Sequence, residues 1–250
     1  MERRHLLNCI MKNGRKISTL FMLEKGMQKE DLEVFDIITI DIESSGLYPS
    51  PTPEMIANGV TEDYIVAIGC MDEFGMQIFS APFDTYKISL ELAEKECINA
   101  FSNYFLKYSE GQSILSYNGI GFDVPFVSSK FLKTKLETHA NTSSLLFDTP
   151  HIDLMGYARF VTGRRLSKDD ACRKLANLYV PRKSEGLWNA RIYKNPQLLT
   201  ENDHLEMLQH NATDLTATAR LYNVVKHFPD FAAWRLKEAN GHEERRKETP

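Results

Sequence analysis

Residues 37–46 read Ile37-Ile38-Thr39-Ile40-Asp41-Ile42-Glu43-Ser44-Ser45-Gly46, an apolar, β-branched run that ends in turn-forming residues. Such a run commits the chain to a strand at this point. Strand side chains alternate between faces, so Asp41 and Glu43 point the same way. Two adjacent carboxylates at the end of a buried strand repel each other and lose hydration, and a hard divalent cation is the usual compensation. The pair alone also fits a solvated strand rim. Two later acids in suitable contexts favour a cluster, and with it metal-dependent phosphoryl chemistry.

The 250 residues are 42% hydrophobic, enough for one large core or two small ones. Cys9, Cys70, Cys97 and Cys172 lie far apart, without the spacing of a disulfide framework or a zinc ribbon. A reducing, cytoplasmic setting is expected. No apolar run approaches the roughly 18 residues of a membrane span. The basic N-terminus lacks the small-residue cleavage site of a secretory signal.

The net charge of -4 hides an asymmetry. Between Arg159 and Lys194 there are ten Lys or Arg (159, 164, 165, 168, 173, 174, 182, 183, 191 and 194) against Asp169, Asp170 and Glu185, a local balance of +7. Two readings stand side by side: a solvated helix face, or a track for a phosphate backbone.

Patterning along the chain predicts an α/β fold, a mixed β-sheet flanked by helices. Strands are expected near residues 64–71 and 76–80, joined as a hairpin through Asp72-Glu73-Phe74-Gly75, then at 113–117 and 147–154. Helical spacing marks residues 88–109, and a helix is expected from Val124-Pro125, because proline is tolerated in a first turn. Ser167-Lys168-Asp169-Asp170 opens another helix with a cap-like pattern. The last long helix covers residues 202–226, with Leu205, Leu208, Leu215 and Ala219 on its buried side. Residues 34–228 read as one domain, 1–33 as an arm or helix laid on it, and 229–250 as a charged tail that frays from Ala239.

Asp123 falls at a strand-loop-helix junction. On the last helix His210 and Asp214 lie four residues apart and share a face. His151 and Asp153 form a rival pair by the same strand logic, but no third and fourth ligand completes it, and packing at the strand end is the expected role.

Asp41-Ile42-Glu43-Ser44-Ser45-Gly46-Leu47, Tyr117-Asn118-Gly119-Ile120-Gly121-Phe122-Asp123-Val124-Pro125 and His210-Asn211-Ala212-Thr213-Asp214 resemble, in order, the three motifs of the DEDD superfamily of 3′-to-5′ exonucleases. The second is most similar to the exonuclease domains of family-B DNA polymerases. The resemblance spans residue 36 to about 226 and implies a ribonuclease H-like fold. It implies that Asp41, Glu43, Asp123 and Asp214 bind two Mg²⁺ or Mn²⁺ ions, and that the protein hydrolyses 3′ ends of single-stranded DNA or RNA, DNA being favoured. Ser44, Ser45, Gly46 and Leu47 would approach the terminal nucleotide, with Leu47 as a wedge against its base. Asn118 and Phe122 would shape the strand path, core packing being an equal alternative for Phe122.

The family places a Tyr four residues, or a His five, before the last Asp. Here His210 stands at four and Gln209 at five. A helix turns about 100° per residue, so Gln209 cannot replace it, and the resemblance assigns His210 the tyrosine's place as base or water-orienting group. A degenerate domain that binds single strands without cutting them is the alternative. No polymerase motifs follow residue 226, so a polymerase or repair partner would act in trans; no membrane is expected.

Overall fold

The β-branched run of residues 37–44 becomes the middle strand of a five-stranded sheet. The computed structural model describes residues 5–10, 16–21, 36–46, 62–180, 191–192 and 195–248. In chain order the strands are β1 His5–Ile10, β2 Lys16–Phe21, β3 Ile37–Ser44, β4 Ile65–Asp72, β5 Gly75–Phe79, β6 Ser113–Ser116 and β7 His151–Asp153. The helices are α1 Phe83–Ile88, α2 Leu90–Tyr108, α3 Asp123–Thr134, α4 Glu137–Asp148, α5 Leu154–Thr162, α6 Lys168–Ala176, α7 Glu201–Val225 and α8 Pro229–Glu248. The sheet order is β5-β4-β3-β6-β7. β3 pairs antiparallel with β4, and β4 with β5, whereas β3–β6 and β6–β7 are parallel. The sheet is therefore mixed, as the patterning predicts.

Period-two alternation sorts β3 between two cores. Ile38, Ile40 and Ile42 pack with Phe101 and Phe105 of α2 and Phe131 of α3. Ile37 faces the opposite side, where Leu115, Tyr157, Leu221, Val225 and Trp234 gather. Asp41 and Glu43 share the parity of Ile37 and point to the side that α7 covers.

Parallel pairing of β3 with β6 ends at Thr39 opposite Leu115, while pairing with β4 continues to Ser44 opposite Ile65. The strands part at their carboxyl ends, which opens a crevice beside Asp41. Crevices of this kind are where open α/β sheets bind ligands.

Four expectations are corrected. Residues 5–10 and 16–21, expected within an arm or helix, pair as an antiparallel hairpin, which overturns only the helical alternative. Phe147 belongs to the end of α4, and only His151–Asp153 is strand. Thr149 precedes Pro150 and takes an extended backbone, which stops the helix. The charged segment expected to fray from Ala239 continues as helix: α8 runs to Glu248 and, earlier along it, buries Phe231 and Trp234 against Tyr157. Leu205 faces outward on α7, and Met207 takes its place in the core.

The described cysteines Cys70, Cys97 and Cys172 are buried free thiols. Among the described residues no helix is long and apolar enough to cross a membrane. Leu47, Arg182, Lys183, Glu185 and Lys194 lie outside the described residues.

Gly69 of β4 sits opposite Asp41 and lets α7 approach the sheet. A Cβ there would lie 1.9 Å from Asn211 Oδ1 and 2.5 Å from Leu215 Cδ1. Both atoms belong to side chains that can shift only by repacking the α7 seam. Gly69→Ala is expected to cost about 1–3 kcal/mol, the usual penalty of overpacking, and Gly69→Val more. Urea unfolding checks this, and midpoints equal to that of the parent would show that the helix is free to slide.

Candidate active site

Three distant segments meet at the crevice. β3 supplies Asp41 and Glu43; the loop after β6 turns into α3 and supplies Asp123; α7 supplies His210, Asn211 and Asp214. Asp123 stands in the first turn of α3, where the helix dipole favours an anion. Its Oδ1 accepts from the Ile42 amide at 3.1 Å, which satisfies a β3 donor where β6 has left.

The loop that delivers Asp123 is held by Asp153. Its Oδ1 accepts from the Asn118 amide at 2.8 Å and caps α5 through the Met155 amide at 3.0 Å, while Oδ2 accepts from the Ile120 amide at 3.2 Å. His151 Nε2 lies 2.8 Å from the Leu146 carbonyl. Both members of the rival pair therefore serve local structure, as expected. Asn118 adopts a left-handed φ of 71° and accepts from Arg165 Nη2 at 3.2 Å. Phe122, half-buried, stacks on Phe126 with centroids 5.6 Å apart.

Lys168 is the residue that sequence reasoning misplaced. Counted among the basic residues of a phosphate track, it instead enters the acid cluster, its side chain only 12% exposed, with Nζ 2.8 Å from Asp41 Oδ1 and 3.0 Å from Asp214 Oδ2. Ser167 caps α6 by accepting from the Asp170 amide at 3.1 Å, and Tyr117 Oη donates to the carbonyls of Leu166 and Ser167 at 2.8 and 3.1 Å. These contacts aim Lys168 into the crevice. Ala171, Cys172 and Ala217 are small and buried where α6 meets α7, which permits close approach. Arg164, Arg165, Arg173 and Lys174 remain exposed.

His210 Nδ1 lies 2.7 Å from Glu43 Oε1. An ionised carboxylate only accepts, so with that partner Nδ1 is the ring nitrogen that donates. Asn211, a second residue that sequence reasoning passed over, donates from Nδ2 to the Asp41 carbonyl and to Asp41 Oδ2, both at 3.1 Å. Its signal was available: it lies three residues before Asp214, on the same helix face.

Residues after β3 divide. Ser45 is turned inward: its Oγ accepts from the Tyr64 amide at 2.9 Å and its amide donates to the Tyr64 carbonyl at 2.8 Å. Ser44 is half-buried beside a register shift, and Gly46 has a φ of 144° that suits glycine.

Burial pushes the Asp41 carboxyl well above the ordinary carboxylate range; Lys168 pulls it back, while Asp214, Asp123 and Glu43 add to the rise. Burial likewise pushes Asp123 up to about 6, against the pull of Lys168 and the Ile42 amide. For Lys168, burial opposes the charge, but Asp41 and Asp214 outweigh it and hold the ammonium above the ordinary lysine range. One fixed ammonium bridges Asp41 and Asp214 and also acts on Asp123. Glu43, His210 and Asp214 also bring ligand atoms within 4.8 Å of one another. Hard oxygen donors in excess of positive charge, already hosting one cation, fit divalent metal.

A mixed sheet with helices on both faces and acids at the carboxyl end of its central strand is the ribonuclease H-like arrangement. The sequence profile of the RNase_H superfamily matches residues 38–226, and the chain belongs to that superfamily. Among solved structures, the family B DNA polymerase from the hyperthermophilic archaeon Pyrobaculum calidifontis aligns with a TM-score of 0.52 at 14% identity, over 90% of this chain and 28% of that one. The zinc-bound E. coli exonuclease I in complex with single-stranded DNA aligns at 14% identity and a TM-score of 0.40, over 79% of this chain and 42% of that one. This chain thus spans less than half the length of either. No curated protein matches its sequence.

Removing the ammonium leaves buried carboxylates without their fixed counter-charge. Lys168→Met is expected to destabilise the metal-free protein by about 3–5 kcal/mol, the usual cost of breaking a buried ion pair. Added Mn²⁺ should raise its melting temperature more than it raises that of the parent. Calorimetry with and without Mn²⁺ checks both signs, and an unchanged metal-free melting temperature would show that Lys168 is a bystander.

Proposed function

We propose that this protein is a metal-dependent exonuclease that hydrolyses phosphodiester bonds at the 3′ ends of single-stranded nucleic acid, DNA favoured over RNA. The observation that carries the reading is the meeting of Asp41, Glu43, Asp123 and Asp214, from three separate segments, around one crevice. The order of the motifs, similar to the exonuclease domains of family-B polymerases, supports the direction of cleavage.

Asp41, Glu43, Asp123 and Asp214 would hold two Mg²⁺ or Mn²⁺ ions. When bound, such ions polarise the phosphate and make a water nucleophilic at neutral pH. Glu43 holds His210 by Nδ1, so Nε2 takes the proton from the attacking water or orients it. The Lys168 ammonium lies between Asp41 and Asp214, where it can meet the charge that builds on the phosphate. Ser44, Gly46 and Leu47 would line the approach of the terminal nucleotide, and Asn118 and Phe122 the path of the strand. The exposed Arg164, Arg165, Arg173 and Lys174 would meet phosphates further along.

One observation favours a second reading. An ammonium that bridges two of the four acids is also what a non-cutting, strand-binding domain would use to neutralise them. Asp123→Asn separates the two, because the amide oxygen can still accept from Ile42. With a 5′-labelled single strand and Mn²⁺, the parent should yield a ladder shortened from the 3′ end and release nucleoside monophosphates. Asp123→Asn should fold normally and cut at background. A parent protein that binds the strand and never shortens it would establish the strand-binding domain.

His210→Ala is expected to lose on the order of 10² to 10⁴ in rate, the usual worth of a general base, while Mn²⁺ binding is retained. His210→Tyr should recover part of that loss, since tyrosine fills this position in the resembling subclass. Single-turnover kinetics on the same strand are the measurement, and a near-parental rate for His210→Ala would assign the water to another group.

A further inference from the structure

We propose that Asn211 is a positioning residue for the ion site, fixing the carboxylate of Asp41 from α7, with Gly69 as the counterpart that makes room for its amide. The inference rests on the exonuclease reading in one respect, that Asp41 holds a metal ion.

Asn211 is fully buried, at 0% exposure. Its Nδ2 has two hydrogens, and each finds an acceptor on the same residue, the Asp41 carbonyl and Asp41 Oδ2. The reversed amide would set an oxygen 3.1 Å from two acceptors, so the observed orientation is the one that pairs. Oδ1 of Asp41 is taken by the Lys168 ammonium at 2.8 Å. Each carboxylate oxygen of Asp41 thus has a donor in place, one from α7 and one from α6. These donors fix the side chain's rotation, so the oxygen shared with Lys168 is the one turned toward Asp214.

The other end of the amide explains a glycine in mid-strand. Gly69 stands opposite Asp41 in the β3–β4 register, and a Cβ on it would lie 1.9 Å from Asn211 Oδ1. Strand glycines lose packing and entropy, and they persist where something must come close. Here the close neighbour is the group that holds Asp41. Gly69, Asp41 and Asn211 therefore form one unit across β4, β3 and α7, in which the ligand's geometry depends on the seating of the helix.

A packing role and a positioning role predict different results from a volume swap. Asn211→Ala empties the seat, and Gly69→Ala combined with Asn211→Ala refills it with a methyl group but restores no hydrogen bond. Titration with Mn²⁺, followed by electron paramagnetic resonance on the full chain, reads ion affinity without any turnover. Asn211→Ala should bind Mn²⁺ about 10- to 100-fold more weakly, the usual effect of removing a group that orients a ligand. The double variant should stay weak in Mn²⁺ binding whatever its melting temperature, because its methyl group restores no hydrogen bond and still presses on Leu215 Cδ1. Parental affinity in Asn211→Ala, or a double variant that recovers affinity together with stability, overturns the inference and leaves the exonuclease reading standing. A parent protein that binds no Mn²⁺ overturns the metal reading and this inference with it.

Discussion

Crowded negative charge at the end of one buried strand is the constraint that the rest of the structure answers. Two unit charges about 4 Å apart at an effective dielectric of 20 repel by roughly 4 kcal/mol, and Asp41 feels three other acids. Cohesion of the surrounding layers holds the acids in place. The isoleucines of β3 lock the strand between helices, the Ile42 amide and the α3 dipole hold Asp123, and Lys168 and Asn211 each take one oxygen of Asp41. Each device delivers positive charge or a donor without filling the crevice. A site built this way is under electrostatic strain and gains from any cation it admits.

The backbone geometry follows from the same demand. α6 and α7 must come close enough for a lysine and an asparagine to reach the strand. Small residues mark those approaches: Gly69 under α7, and Ala171, Cys172 and Ala217 between the two helices. The parting of β3 from β6 after Thr39 leaves the Ile42 amide for a side chain to satisfy. Had the parallel pairing continued, that amide would have bonded to a neighbouring strand and Asp123 would have lost its anchor.

What was legible in the sequence was local. Period two set Asp41 and Glu43 on one face, Val124-Pro125 marked the helix after Asp123, and a four-residue step joined His210 to Asp214. The illegible parts depend on partners distant in sequence. Lys168 contributes to a run of basic residues by composition, yet its contact with Asp41 crosses 127 positions and reverses its meaning. α4 was missed because its inner face is polar: His139, Thr142 and Ser143 are buried there, and Thr142 Oγ1 pairs with Ser102 Oγ at 2.6 Å. Charge in residues 243–248 masked a helix whose anchors, Phe231 and Trp234, lie two turns earlier. The tie between Ser45 and the Tyr64 amide was illegible for the same reason, since nothing nearby in the chain reveals it.

The departure of His210 from the tyrosine pattern fits this electrostatic setting. A phenol needs no partner to hold its tautomer, but an imidazole does, and Glu43 serves that purpose while remaining available as a ligand through its second oxygen. In the proposed exonuclease, proton handling and ion binding would share one carboxylate, and the orientation of the imidazole would depend on the same side chain as the ion. Lys168 adds the complementary link through Asp41 and Asp214. An ion that enters must share those two acids with the ammonium or displace it.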